Sequence, residues 1–166
     1  MRSFLIILSL MVLLVSCGDS NVSLIKDGTM NFNETVTIGD VLSTNACFSE
    51  VEWESKTNDR GQDVVIFTAL VDNDALFESN PELKKEFTQQ IEDTQLEIYC
   101  KIGFLLSKQD DSFSFGQSVV QYIYIDKNGE EKIQSFTYGM GVLKTLYGSK
   151  ASWALSVDLY TWLSNN

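Results

Sequence analysis

The chain has 166 residues and a formal net charge of −11, from 12 basic residues against 23 acidic ones, with a single proline and no histidine. The missing histidine excludes His-dependent triads, Cys-His pairs and His-ligated zinc, and removes the commonest general base. Phosphate neutralisation needs clustered Lys and Arg, so nucleic acid is not an expected partner of so acidic a chain.

At the N-terminus Arg2 precedes an apolar run from Phe4 to Val15, interrupted only by Ser9, and the run closes on Leu14-Val15-Ser16-Cys17. About twelve residues at 1.5 Å rise fall short of the ~20 that span hydrocarbon, so the segment reads as a signal peptide and not as a membrane helix. Leu14, Val15, Ser16 and Cys17 resemble the lipobox of bacterial lipoproteins. The resemblance implies cleavage before Cys17, acylation of that cysteine with palmitate-type chains, and export to a periplasmic or outer face of the cell envelope. Removing residues 1–16 takes away Arg2 and no acid, leaving 150 residues with 11 bases against 23 acids, a net −12. Each base near an anionic bilayer contributes ~1 kcal/mol of attraction and each acid opposes it, so the lipid is the expected membrane anchor. The expected organisation is a signal peptide over 1–16, the lipidated cysteine and a short tether over 17–21, and one domain over 22–166.

Within that domain Val22 to Ile25 reads as a short first strand, with Lys26-Asp27-Gly28 as a turn in which Gly supplies the positive φ. Thr37 is the expected cap of a short helix bearing Ile38, Val41 and Leu42. Ser49 to Lys56 alternates, with Val51 and Trp53 on one face and Glu50, Glu52 and Glu54 on the other; Asn58-Asp59-Arg60-Gly61 then turns the chain into a β-branched strand from Gln62 to Asp72. From Asp74 to about Asp93 the spacing becomes helical, with Pro81 opening the main helix at its first position and Asn80 as cap.

Alternation returns from Thr94 to Ser107, where Leu96, Ile98, Cys100, Ile102, Phe104 and Leu106 share one face. After a polar turn, Ser112 to Ile125 forms another long strand, bulged at Gly116. Asp126-Lys127-Asn128-Gly129 predicts a type I′ hairpin into Lys132 to Tyr138. Met140 to Tyr147 and Ser152 to Leu163 read as helices, with Gly148 ending the first and Ser149 capping the second. Tight antiparallel connections with helices in the middle and at the end predict an α+β fold, an antiparallel sheet of about four to six strands with helices packed on one face.

Few residues suggest chemistry. Cys47 and Cys100 remain after Cys17 is set aside, and in an oxidising compartment they form a candidate disulfide, worth roughly 4 kcal/mol in the chain-entropy account, the alternative being two buried thiols. Glu50, Glu52 and Glu54 stand at ~6.8 Å spacing on one strand face, a candidate acidic face for a cation or paired-carboxylate work; a solvated outer sheet face is the simpler account. Asp72-Asn73-Asp74 and Asp126 to Glu131 look superficially like calcium loops but lack the complete ligand pattern, and Asp110-Asp111 belong with them as turn residues. Trp153, Tyr160 and Trp162 fit either an aromatic patch or the core side of a helix. Asp19-Ser20-Asn21-Val22-Ser23 resembles the extended acceptor sequon of bacterial N-glycosylation. There is no phosphate loop, nucleophile elbow or metal-ligand spacing, so no catalytic residue, metal or cofactor is expected.

Several segments are similar to uncharacterised domains of bacterial secreted proteins and lipoproteins: Val22 to Gly28, Thr37 to Leu42, Trp53-Glu54 with Gly61 and Val64 to Phe67, and Asp110 to Phe113. Such domains have no assigned activity, so the resemblance implies architecture and no site. The expected function is that of a non-enzymatic envelope lipoprotein that binds a partner or serves a structural role. One alternative is a tethered inhibitor or immunity-type protein whose acidic surface captures a basic partner. A second is a small-ligand-binding domain, which requires an apolar hollow with a few polar groups between helix and sheet.

Overall fold

The alternating segments pair in the order in which they occur. The computed structural model describes residues 20–77 and 81–148. In it β1 (Phe48–Thr57), β2 (Asp63–Val71), β3 (Glu97–Leu106), β4 (Phe113–Ile125) and β5 (Glu131–Tyr138) form one five-stranded sheet in the order β1-β2-β3-β4-β5, each strand antiparallel to the next. The helices are α1 (Ser20–Asp27), α2 (Ile38–Ser43), α3 (Asn73–Phe77), α4 (Pro81–Thr94) and α5 (Gly141–Leu146). The fold is α+β, as the pattern of elements implies. The expected signal segment, Cys17, the expected cap Asn80 and the expected C-terminal helix over Ser152 to Leu163, with Trp153, Tyr160 and Trp162, lie outside the described residues.

The core forms where one sheet face meets the helices. In β3 every second residue from Ile98 to Leu106 is buried, and Val65, Phe67 and Ala69 of β2 and Val120 and Tyr122 of β4 extend the same face. Ile25 of α1, Ile38 and Leu42 of α2, Leu76 and Phe77 of α3 and Leu143 and Leu146 of α5 are buried against it, each large side chain contributing ~1.5–3 kcal/mol. Thr37 caps α2 as its sequence suggests, its Oγ1 accepting from the Asp40 N–H at 3.1 Å. Pro81 opens α4, at the position where a missing N–H costs nothing.

Four expectations are corrected. Val22 to Ile25 is helical, part of α1, and only Ile25 is fully buried. Gly28 is not among the positive-φ residues; its role is steric, because a Cβ there would sit 2.4 Å from the Phe113 ring and 3.1 Å from the Leu24 carbonyl oxygen.

The turn at Asn128-Gly129 is not type I′. Only Gly129 has positive φ, at 77°, and the Asp126 N–H donates to the Glu130 carbonyl at 2.9 Å, which closes a longer loop of the type I plus left-handed glycine kind. Finally, Cys47 and Cys100 are not bridged to each other, and both are buried. Cys47 precedes β1 beside Asp72, whereas Cys100 faces Ala69 from β3. Two strands across and three positions along place their Cα atoms roughly 14 Å apart, against a bridging limit near 7 Å.

The bulge in β4 stands where it was expected. Gly103 pairs with Gln117 and Phe104 with Phe115, so Gly116 is the extra residue. That one insertion puts Phe113 and Phe115 on the core side together with Ser118, Val120 and Tyr122.

Candidate functional site

The strand residues that point away from the helices make the second face of the sheet. Register gives its rows: Glu50–Leu70–Tyr99–Gln121, Glu52–Thr68–Lys101–Val119, Glu54–Ile66–Gly103–Gln117 and Lys56–Val64–Leu105–Ser114. Val64, Ile66, Leu70, Leu105 and Val119 are half-buried, and none of them belongs to the core or packs against it. A sheet with one solvated side ordinarily alternates apolar-in and polar-out; here the outward side of β2 is apolar at three of its four positions.

At the middle of this face the sheet is hollowed. Gly103 contributes no side chain between Ile66 and Gln117, and Gly116 at the bulge contributes none beside it, where a Cβ would lie only 3.0 Å from the Gly103 carbonyl oxygen. The hollow encloses about 570 Å³ and is lined by Val64, Ile66, Leu105 and Val119 with Lys56, Asn58, Lys101, Gln117 and Gln121 around them. No carboxylate lines it among the described residues. Lys56 lies 3.6 Å from Glu54, and the Gln121 amide donates to Ser135 Oγ at 3.2 Å. The Lys101 ammonium has no ion-pair or hydrogen-bond partner among the described residues.

A second hollow, of about 630 Å³, opens on the helix side between the α1–α2 loop, the start of β4 and α5. Met30, Phe32, Phe113, Phe115 and Met140 line it, and the Lys144 ammonium stands 5.5 Å from the centre of the Phe32 ring. Met30 is a core residue and Phe113 and Phe115 pack on the core, so this hollow is the outer margin of the packed side. An apolar hollow with a few polar groups therefore exists on each side of the sheet.

The expected acidic face is present as a surface. Glu50, Glu52 and Glu54 are exposed on edge strand β1, opposite Leu70, Thr68 and Ile66, with Lys56 beside Glu54 as the one close counter-charge among the described residues. No group of three metal-ligating side chains converges among the described residues. The aspartates of the calcium-like segments are engaged in turns. Asp72 Oδ1 accepts from the N–H groups of Asp74 and Ala75 at the start of α3, and Asp126 Oδ1 from those of Asn128 and Glu130. Asp110 accepts from the Ser112 N–H and hydroxyl, and hydrogen bonds to Ser107 and Ser112 hold its carboxyl below the usual range. Burial pushes the Cys100 thiol up to about 12, which keeps it protonated and unreactive at neutral pH. Asn21 is half-buried in α1, with its amide donating to Ser55 Oγ at 3.2 Å, so Ser20 to Ser23 of the sequon-like stretch are helical.

No protein-family model matches the chain, and neither a curated protein nor a solved structure matches it. The hollow at Gly103 therefore rests on its own chemistry. Sequence reading passed over Lys101 and Gly103, although a glycine in the middle of a strand commonly marks a bulge or a close approach by another group. What sequence could not supply was the register that sets Gly103 beside the Gly116 bulge.

Proposed function

We propose that this chain is a non-enzymatic binding protein of a bacterial envelope, anchored through a lipid on Cys17, and that the open face of its sheet meets the partner. The observation that carries this reading is the half-buried apolar surface opposite the helices, from Val64 and Ile66 to Val119, which lies apart from the core. The lipobox-like Leu14-Val15-Ser16-Cys17 supports the anchor. Ser20 begins α1 three residues after Cys17, a separation of about 10 Å at most, and the Asn21–Ser55 hydrogen bond ties α1 to the end of β1 next to the Asn58–Gly61 turn. With Cys17 at the bilayer, that end of the sheet stands nearest the headgroups and the open face is presented sideways.

The test has two parts. Incorporation of an alkyne palmitate analogue into the wild-type chain and its loss in Cys17→Ser check the anchor. A photo-crosslinking residue at Thr68 or Gln121, compared with one at Asp40 on the helix side, checks the face. Adducts from the first two positions and none from Asp40 are expected in the native membrane; a reversed pattern rejects the open face.

A second reading has its own observation. The exposed carboxylates of Glu50, Glu52 and Glu54 along edge strand β1 suit capture of a basic protein, as an inhibitor or immunity-type protein would need. In that case adducts arise from position 52 and vanish at high ionic strength, because screening weakens exposed charge pairs.

A further inference from the structure

On the open face, we propose that the hollow at Gly103 binds a small amphipathic carboxylate, an aliphatic or aromatic acid whose apolar body lies on Ile66, Leu105 and Val119 and whose charged end meets Lys101. The proposal deepens the reading of the open face as the binding surface; it does not depend on the lipid anchor.

Three observations point to that chemistry. The first is shape: about 570 Å³ falls within the ordinary range for small-molecule sites, and it exists because Gly103 and the bulge at Gly116 remove side chains from the sheet's centre. The second is the floor. Val64, Ile66, Leu105 and Val119 offer apolar area that water covers poorly, so a ligand's hydrocarbon gains by displacing it. The third is charge. In a chain with 23 acids and 12 bases, the lining carries two lysines and no carboxylate among the described residues. Lys56 already has Glu54, whereas the ammonium of half-buried Lys101 has no partner among the described residues.

Lys101 and Gly103 lie on the same side of β3, one pleat apart, about 6.8 Å, so the ammonium stands at the border of the apolar floor. A cation would meet two ammonium groups there. A neutral apolar ligand would cover Lys101 and leave it without a counter-charge, a cost that a carboxylate removes by forming a charge-assisted hydrogen bond. The nearest acid in the Lys101 row is Glu52, two strands away on the far side of Thr68.

The experiment uses the full chain in detergent solution, titrated calorimetrically against detergent alone as blank. The probes are phenylbutyrate for an aromatic source, hexanoate for an aliphatic one, and phenylbutyramide as the uncharged analogue. Saturable carboxylate binding is expected, with the stronger of the two acids naming the source. Lys101→Met should weaken carboxylate binding at least about tenfold and leave the amide unchanged. Gly103→Leu should abolish binding of all three probes, and a Cβ at position 103 meets only the Gln117 carbonyl oxygen at 3.8 Å, so the filled variant has room to fold. Thermal melting of both variants checks that they do.

Carboxylate binding that is absent in the wild type, or that both variants leave intact, overturns the proposal. Open-face crosslinks that persist without carboxylate binding, and that Lys101→Met removes, reassign the hollow to an acidic protein segment. Carboxylate binding without any open-face crosslink keeps the ligand site and rejects the protein partner.

Discussion

The two sides of β3 differ by one residue of phase and by almost everything else. Toward the helices it presents Ile98, Cys100, Ile102, Phe104 and Leu106, all buried; toward the open side it presents Glu97, Tyr99, Lys101, Gly103 and Leu105. The helix side is committed to stability, with rings of Trp53, Phe67 and Phe104 within 5.0–6.5 Å of one another along Trp53–Phe67 and Trp53–Phe104. The open side keeps apolar residues at the edge of exposure around a glycine, where they contribute less to folding and are free to meet something else. Surface that folding does not use is where binding is most readily sought.

This contrast is open to attack by adjacent substitutions. Phe104→Ala should cost about 3–5 kcal/mol in urea denaturation, because a fully buried ring leaves a cavity that the sheet and helices cannot close. Leu105→Ala, one residue on, should cost no more than about 1 kcal/mol, since its side chain is half-buried and lies outside the core. Equal costs would mean that the open face is as much a core as the other. Cys100→Ser tests the same boundary more gently. A hydroxyl in that fully buried place should cost about 1–3 kcal/mol, while the native thiol resists alkylation until the chain unfolds.

How much of this was legible in the sequence depends on how far each feature reaches along the chain. The buried side of β3 is readable because six apolar residues alternate from Leu96 to Leu106 and only one period fits them. Val22 to Ile25 reads as a strand because four residues are too few to separate a period of 2 from 3.6, and the burial of Ile25 among the core residues decides for the helix. The alternation also marks Cys100 as inward-facing, yet it carries no distance to Cys47, which lies two strands away. The hollow was invisible for the same reason. Gly103 and Gly116 are both plain in the sequence, and only the paired register makes them neighbours.

A finer comparison lies at the two ends of the sheet, where two hairpins share one construction. Asn58 and Asp126 each accept, through Oδ1, from the N–H two residues on and the N–H four residues on, and each loop places a glycine at positive φ, Gly61 at 72° and Gly129 at 77°. No heavy atom lies within 4 Å of a Cβ added at either glycine, so Gly61→Ala and Gly129→Ala should differ from wild type only through backbone strain. Each should cost about 1–2 kcal/mol, and the two costs should agree in thermal or urea melts.

The hairpins part company where Asn58 is neutral and Asp126 is charged. The Glu130 N–H first, then the Asn128 N–H and the nearby Lys132 ammonium, hold the Asp126 carboxyl below its ordinary value. With its folded-state pKa below the unfolded value near 3.9, the carboxylate's contribution is fully present above that unfolded value and is lost as pH falls through the lower folded one. Asp126→Asn should therefore flatten part of the acid limb of the stability curve below about pH 4 and leave neutral stability little changed, because Asn58 shows that an amide serves the same turn. Asn58→Asp is the converse, adding acid sensitivity to a turn that has none of its own from that position. If the acid limbs of wild type and Asp126→Asn coincide, the two turns are equivalent in charge as well as in shape, and the carboxylate of Asp126 is an accident of an acidic chain.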